Sequence, residues 1–261
     1  MERQPAPKSH QPFLWKAEGN DMAVLLVHGI LGSPDQFQEL GHRLCDLGCT
    51  VQALLLPGHG GCAEDFAAAR PEDWQRTVSE AAAALRREYR RVVLLGHSMG
   101  GLLILSEAAR HGADGLILMS TPMRLTSGLR ALGTALRVLR GKPENDDDRL
   151  RSYRRAFSVQ ADSLRQCLRW ASKLREMRAL MRHTRQDLRE VVCPVLIVQS
   201  RRDETVSWRS AEMLKRGLFS ARSTEVLMLR NSGHSYLPPE ERNAVYETVA
   251  RFVHNQVMQN A

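Results

Sequence analysis

Cysteine is scarce in this chain and badly placed for cross-linking. The five thiols (Cys45, Cys49, Cys62, Cys167 and Cys193) are odd in number, dispersed and never in C-x-x-C spacing. That pattern excludes a disulfide framework and a structural zinc, and it leaves isolated thiols. No hydrophobic run reaches membrane-spanning length, and residues 1–20, with Pro5, Pro7 and Pro12 among polar neighbours, have no apolar export core. A cytoplasmic protein with no integral membrane segment is therefore expected. Nucleic-acid motifs are missing as well, although the formal net charge is +8. The charge is local. Residues 123–190 hold fifteen arginines and two lysines against five aspartates and three glutamates, an excess of nine, so the rest of the chain is slightly acidic. Such basicity belongs to one segment and does not form the footprint of a nucleic-acid binder.

What the chain does have is a βα rhythm, and at 261 residues it is long enough for one substantial α/β core. Ala23–Val27, Thr50–Leu56, Val92–Leu95, Gly115–Met119, Val195–Val198 and Glu225–Leu229 are short apolar runs that suit strands of a parallel sheet, with Phe13–Lys16 as an edge strand. Helices are expected from Pro34 to about Leu47, from Pro71 to Glu88, after Gly100, around Ser210–Leu218 and over Glu241–Val257. Ser33 and Pro34 supply an N-cap and a first-turn proline for the first of these. Between Met123 and about Asp187 the alternation stops. Leu129, Leu132, Leu136 and Leu139 recur at helical spacing, as do Cys167, Trp170, Leu174, Met177 and Met181, with arginines on the other faces. This predicts a helical insertion placed like a lid. The expected division is a core of residues 1–122 and 188–261 with a cap of residues 123–187.

Chemistry concentrates at strand ends. Gly96-His97-Ser98-Met99-Gly100 is a G-x-S-x-G between a strand and a helix, which places Ser98 on a sharp turn facing a helix N-terminus. Asp203 follows the Val195–Val198 strand and His234 follows the Glu225–Leu229 strand. A parallel sheet brings such ends to one edge, so Ser98 as nucleophile, His234 as base and Asp203 as its orienting acid form a complete constellation. Glu204 is the rival acid. Adjacent side chains diverge, so only one of the pair is expected to face His234. His59, in the Pro57–Gly61 loop, is expected to stabilise its loop, and the backbone amides of the His28–Pro34 turn are expected to face Ser98.

The segments H-G-I-L-G-S, P-G-H-G, D-W-x-x-x-V, G-H-S-M-G-G, S-R-R-D-E and S-G-H-S together resemble the small bacterial carboxylesterases and monoacylglycerol lipases of the α/β-hydrolase superfamily. The resemblance covers nearly the whole chain and implies an α/β-hydrolase fold: a mostly parallel central sheet, helices on both faces and a small helical cap. It assigns the triad to Ser98, Asp203 and His234 and the oxyanion hole to the amides of Ile30 and Met99. The strands expected before Ala23 are short, a departure from the family's leading hairpin. The expected activity is hydrolysis of short- to medium-chain acyl esters or monoacylglycerols through an acyl-enzyme, without metal or cofactor. If the cap stripes roof the cleft, Trp170, Leu174 and Met177 would touch the acyl chain, and the outer arginines would meet solvent or an anionic surface. Fold and triad also serve thioesterases, peptidases and C–C hydrolases, and a non-catalytic ligand-binding receptor is the reading from another class.

Overall fold

The computed structural model describes residues 10–19, 21–126, 147–159 and 171–258. Among them runs a seven-stranded sheet of β1 (Phe13–Trp15), β2 (Met22–Val27), β3 (Thr50–Leu54), β4 (Arg91–His97), β5 (Gly115–Met119), β6 (Val195–Ser200) and β7 (Thr224–Leu229). The spatial order is β1-β3-β2-β4-β5-β6-β7. All neighbours run parallel except β1, which pairs antiparallel with β3 at the edge. No leading hairpin occurs among the described residues. The edge strand docks on β3 instead.

Both faces of the sheet are covered, which is why its central strands are buried along almost their whole length and apolar through their middles. Ala23, Leu25 and Val27 of β2 point into one buried layer with Leu94 of β4, and Met22, Val24 and Leu26 point into the other with Val93 and Leu95. The second layer is filled by Leu40 and Leu44 of α1 (Gln38–Asp46) and by Val245, Val249 and Phe252 of α8 (Pro239–Met258). The first holds Phe66 of α2 (Ala63–Ala68), Trp74, Val78, Ala82 and Leu85 of α3 (Pro71–Glu88), the apolar face of α4 (Met99–His111), and Ala211 and Leu214 of α7 (Arg209–Gly217). The buried residues of α3 fall at helical spacing. The chain enters α1 through a 3-10 turn, Pro34–Phe37, where Ser33 Oγ accepts the Asp35 amide at 3.3 Å.

Two described helices lie between β5 and β6: α5 (Asp148–Ala156) and α6 (Ala171–Asp187). They differ in what they cover. Met177, Leu180 and Met181 of α6 are buried in the same cluster as α4 and the sheet, and Asp187 accepts the Ser106 hydroxyl of α4 at 2.6 Å. Helix α6 is thus packed as the crossover that a parallel β5–β6 pair requires.

Candidate active site

Val27 of β2 lies opposite Gly96 of β4, so the turns after these two strands emerge side by side where the strand order reverses direction. Ser98 occupies the second of them with φ 54° and ψ −119°, in the left-handed half of backbone space that a non-glycine residue enters only under constraint. Glycines on either side make the turn close enough. A Cβ on Gly96 would stand 2.5 Å from the Gly100 carbonyl carbon, and one on Gly100 would overlap the Val27 carbonyl oxygen. The serine itself is buried, 3% exposed. Met99 is the first residue of α4, so its amide has no intrahelical acceptor.

The base and acid arrive on the loops after β7 and β6. His234 Nε2 lies 3.0 Å from Ser98 Oγ, and His234 Nδ1 lies 3.0 Å from Asp203 Oδ2. The three sequence-predicted residues are therefore brought together in one hydrogen-bonded line. Asp203 Oδ1 accepts the amides of Thr205 and Val206 at 2.9 and 2.8 Å, and Gln199 Nε2 approaches Oδ2 at 3.4 Å. Burial by itself would push the Asp203 carboxyl up. The His234 charge and these donors outweigh it and hold the carboxyl below the ordinary range. For His234 burial opposes the charged form, but the Asp203 carboxylate, with Glu204 behind it, carries the imidazole above its usual value. The base is thereby strengthened by its acid.

Three further histidines support the constellation, and sequence reasoning passed over two of them. His97 Nε2 donates to the His234 carbonyl at 2.9 Å; burial and the nearby His234 charge press this ring down to about 4, so it stays neutral. His28 Nε2 accepts the Leu56 amide at 3.0 Å, and its Nδ1 donates to the Gly29 carbonyl at 2.8 Å. His59 Nε2 accepts the Leu31 amide at 3.2 Å while its Nδ1 donates to the Pro57 carbonyl, so it stabilises the loops as expected and takes no part in the serine line. Burial lowers it to about 4. The Leu31 and Gly32 amides are thus engaged, the latter with the Gly29 carbonyl at 3.0 Å, and Ile30 lies just before them in the same turn. A Cβ on Gly29 would come 2.9 Å from Ser98 Cβ, which measures how tightly this turn is pressed against the serine.

A cleft over Ser98 is walled by Ile30, Leu31, Gln36, Tyr153, Ala156, Phe157 and Thr205. Its roof is α5 and the residues just after it. The expected cap contacts are not found there: Leu174 is 57% exposed on α6, and Met177 is buried against α4. A helical stripe records that a face is buried but not what covers it. Trp170, Cys167 and Leu129, Leu132, Leu136 and Leu139 lie outside the described residues. Tyr153 and Phe157, which do line the cleft, carried no signal beyond one aromatic apiece among arginines.

Comparison with known proteins agrees with this geometry. A family model described as the alpha/beta hydrolase family matches residues 24–248. The chain belongs to that family. It is 28% identical over 240 residues to a thermostable monoacylglycerol lipase of Bacillus sp. (strain H-257), covering 89% of this chain and 90% of the lipase. It is 25% identical over 251 residues to a carboxylesterase of Bacillus subtilis (strain 168), covering 93% of this chain and 96% of that protein. Among solved structures, one described with the metagenome-derived lipolytic enzymes LipS and LipT superposes with a TM-score of 0.74 at 21% identity, covering 97% of this chain and all of that one. That likeness concerns the fold.

Proposed function

We propose that the protein is a serine carboxylic-ester hydrolase, with Ser98, His234 and Asp203 as its triad. The observation that carries the reading is the pair of 3.0 Å contacts joining serine, histidine and aspartate at a strained strand-to-helix turn. His234 Nε2 takes the proton as Ser98 Oγ attacks the ester carbonyl carbon, and the carbonyl electrons move onto oxygen. The amides of Ile30 and Met99 receive that oxyanion, helped by the positive end of α4. His234 then protonates the leaving alkoxide as the C–O bond breaks, and the alcohol departs from an acyl-Ser98. Water, deprotonated by the same ring, attacks the acyl carbon and releases the acid. Asp203 stays ionised throughout.

Of residues 123–187, the cap in this reading, α5 lies over the cleft while α6 carries the chain back along α4 to β6. The walls offered by Ile30, Leu31, Ala156 and Phe157 favour a short- to medium-chain acyl ester, and the lipase and carboxylesterase relatives support an ester or monoacylglycerol. No described helix is long and apolar enough to cross a membrane. We place the protein in the cytoplasm, with its arginine-rich segment free to touch an anionic surface.

A fluorophosphonate probe tests the reading directly. Labelling of Ser98, read by peptide mass spectrometry, is expected to accompany hydrolysis of p-nitrophenyl butyrate, and Ser98→Ala to lower turnover by at least about a thousandfold without unfolding the protein. Folded wild-type protein that neither labels nor turns over ester would identify a ligand-binding receptor instead.

A further inference from the structure

Glu204, the carboxylate next to the acid of the triad, is 6% exposed and is engaged by three groups. Arg149 Nη2 reaches Oε2 at 2.7 Å, the Tyr153 hydroxyl donates to Oε1, and the His234 amide approaches Oε2 at 3.3 Å. The Tyr153 hydroxyl also accepts the His234 amide at 3.0 Å and the Ser235 amide at 3.4 Å, which uses its one donor and both lone pairs. Ser152 adds a bond to the Ser235 carbonyl at 2.8 Å. Gly233 is what lets these groups converge, since a Cβ there would stand 2.9 Å from the Tyr153 hydroxyl oxygen and 3.1 Å from Arg149 Nη2. On the far side His97 holds the His234 carbonyl. Just beyond α5, Ser158 donates its amide to the Leu31 carbonyl at 2.9 Å and its hydroxyl to the Gly32 carbonyl at 2.5 Å.

We propose that Glu204 and Tyr153 are positioning residues that tie the backbone of the base to α5, so that the cap helix must be seated for His234 and the Ile30 turn to be aligned together. The proposal rests on the hydrolase reading above. A contact that merely docked the helix would have no reason to converge on residues 234–235 from two side chains of one helix, on Glu204 from a third, and at the same time on the oxyanion turn through Ser158. The charged and titratable groups facing His234 are Asp203 and Glu204 from the loop after β6, His97 from β4, and Arg149 and Tyr153 from α5. Removing the Glu204 charge makes the imidazolium easier to deprotonate. Removing Arg149 leaves that charge uncompensated and does the opposite.

The test is kcat and KM against pH for the full chain with p-nitrophenyl acetate, whose acyl group is a single methyl. Tyr153→Phe is expected to lower kcat about tenfold or more with KM within about twofold, the signature of a misaligned base. Glu204→Gln should move the acid limb of kcat/KM down by roughly half a pH unit, and Arg149→Met should move it up by a similar amount, shifts that lost substrate contacts in the cleft would not produce. Arg149 is 42% exposed in its side chain, so its variant keeps the test available if a buried substitution fails to fold. Limbs that stay put or shift in the same direction, or a Tyr153→Phe effect confined to KM, would overturn the proposal. A wild-type enzyme that neither turns over nor labels at Ser98 would instead overturn the hydrolase reading beneath it.

Discussion

Asp203 and Glu204 leave the end of β6 side by side, yet they reach different parts of one histidine. Asp203 meets the ring at Nδ1 and Glu204 meets the backbone amide. The divergence expected of adjacent side chains is real, but it separates two roles around the same base and leaves neither residue idle. Asp203→Asn should therefore lower kcat by about four orders of magnitude with little change in KM, because an amide presents a donor where the ring nitrogen needs an acceptor. If Asp203→Asn cost less than Glu204→Gln in the same assay, the roles would be reversed. Gly29→Ala probes the other half of the site. The added methyl would press on Ser98 Cβ at 2.9 Å and on the His97 carbonyl at 3.2 Å, and both neighbours are held by backbone. Displacing the Ile30 amide by a fraction of an ångström is expected to lower kcat by roughly ten- to a hundredfold, with Tm nearly unchanged. Equal loss of kcat and of thermal stability would show that the turn had simply unfolded.

Among the elements, α5 and α6 show how the same sequence signal leads to two destinations. Both are arginine-rich and amphipathic, but α6 packs its methionines on α4 while α5 lies over the cleft and bonds to the turn after β7, with Ser158 just beyond it bonding the turn after β2. Leu180→Ala is accordingly expected to destabilise the fold by about 2–5 kcal/mol, the usual range for a truncated core leucine, and Leu174→Ala by under about 0.5 kcal/mol. Neither should change the relative kcat/KM of acetyl, butyryl and octanoyl esters. Phe157→Ala should flatten that series, since it removes the largest apolar wall beside Ser98. A flattened series from Leu174→Ala with none from Phe157→Ala would restore the substrate-binding role to α6.

At the scale of the whole molecule, the strands, the elbow and the meeting of Ser98, His234 and Asp203 were legible from residue type and spacing. Continuous apolar runs, close-approach glycines and strand-end polar residues each admit few structures. The supporting network was not legible, because the bonds of His28, His97, Tyr153 and Glu204 depend on loop approaches that no local pattern encodes. That same network sets the response of the folded state to acid. His59 and His97 are held near 4 and His28 well below its ordinary value, in each case chiefly by burial, whereas in the unfolded chain they titrate near 6.5. A neutral buried histidine lets the unfolded state bind more protons, so stability is full above about pH 6.5 and falls as pH drops toward 4. His234 runs the other way: its raised value contributes stability below the unfolded value that is lost as pH rises through the folded one. Three against one, on a chain already carrying +8, leaves acid destabilising on balance. Urea midpoints should therefore decline from pH 7 to pH 5, with net proton uptake on unfolding. His59→Gln, which keeps an acceptor for the Leu31 amide but cannot titrate, should remove about one proton from that uptake. A flat midpoint across this interval would mean that the buried rings find other partners for their protons.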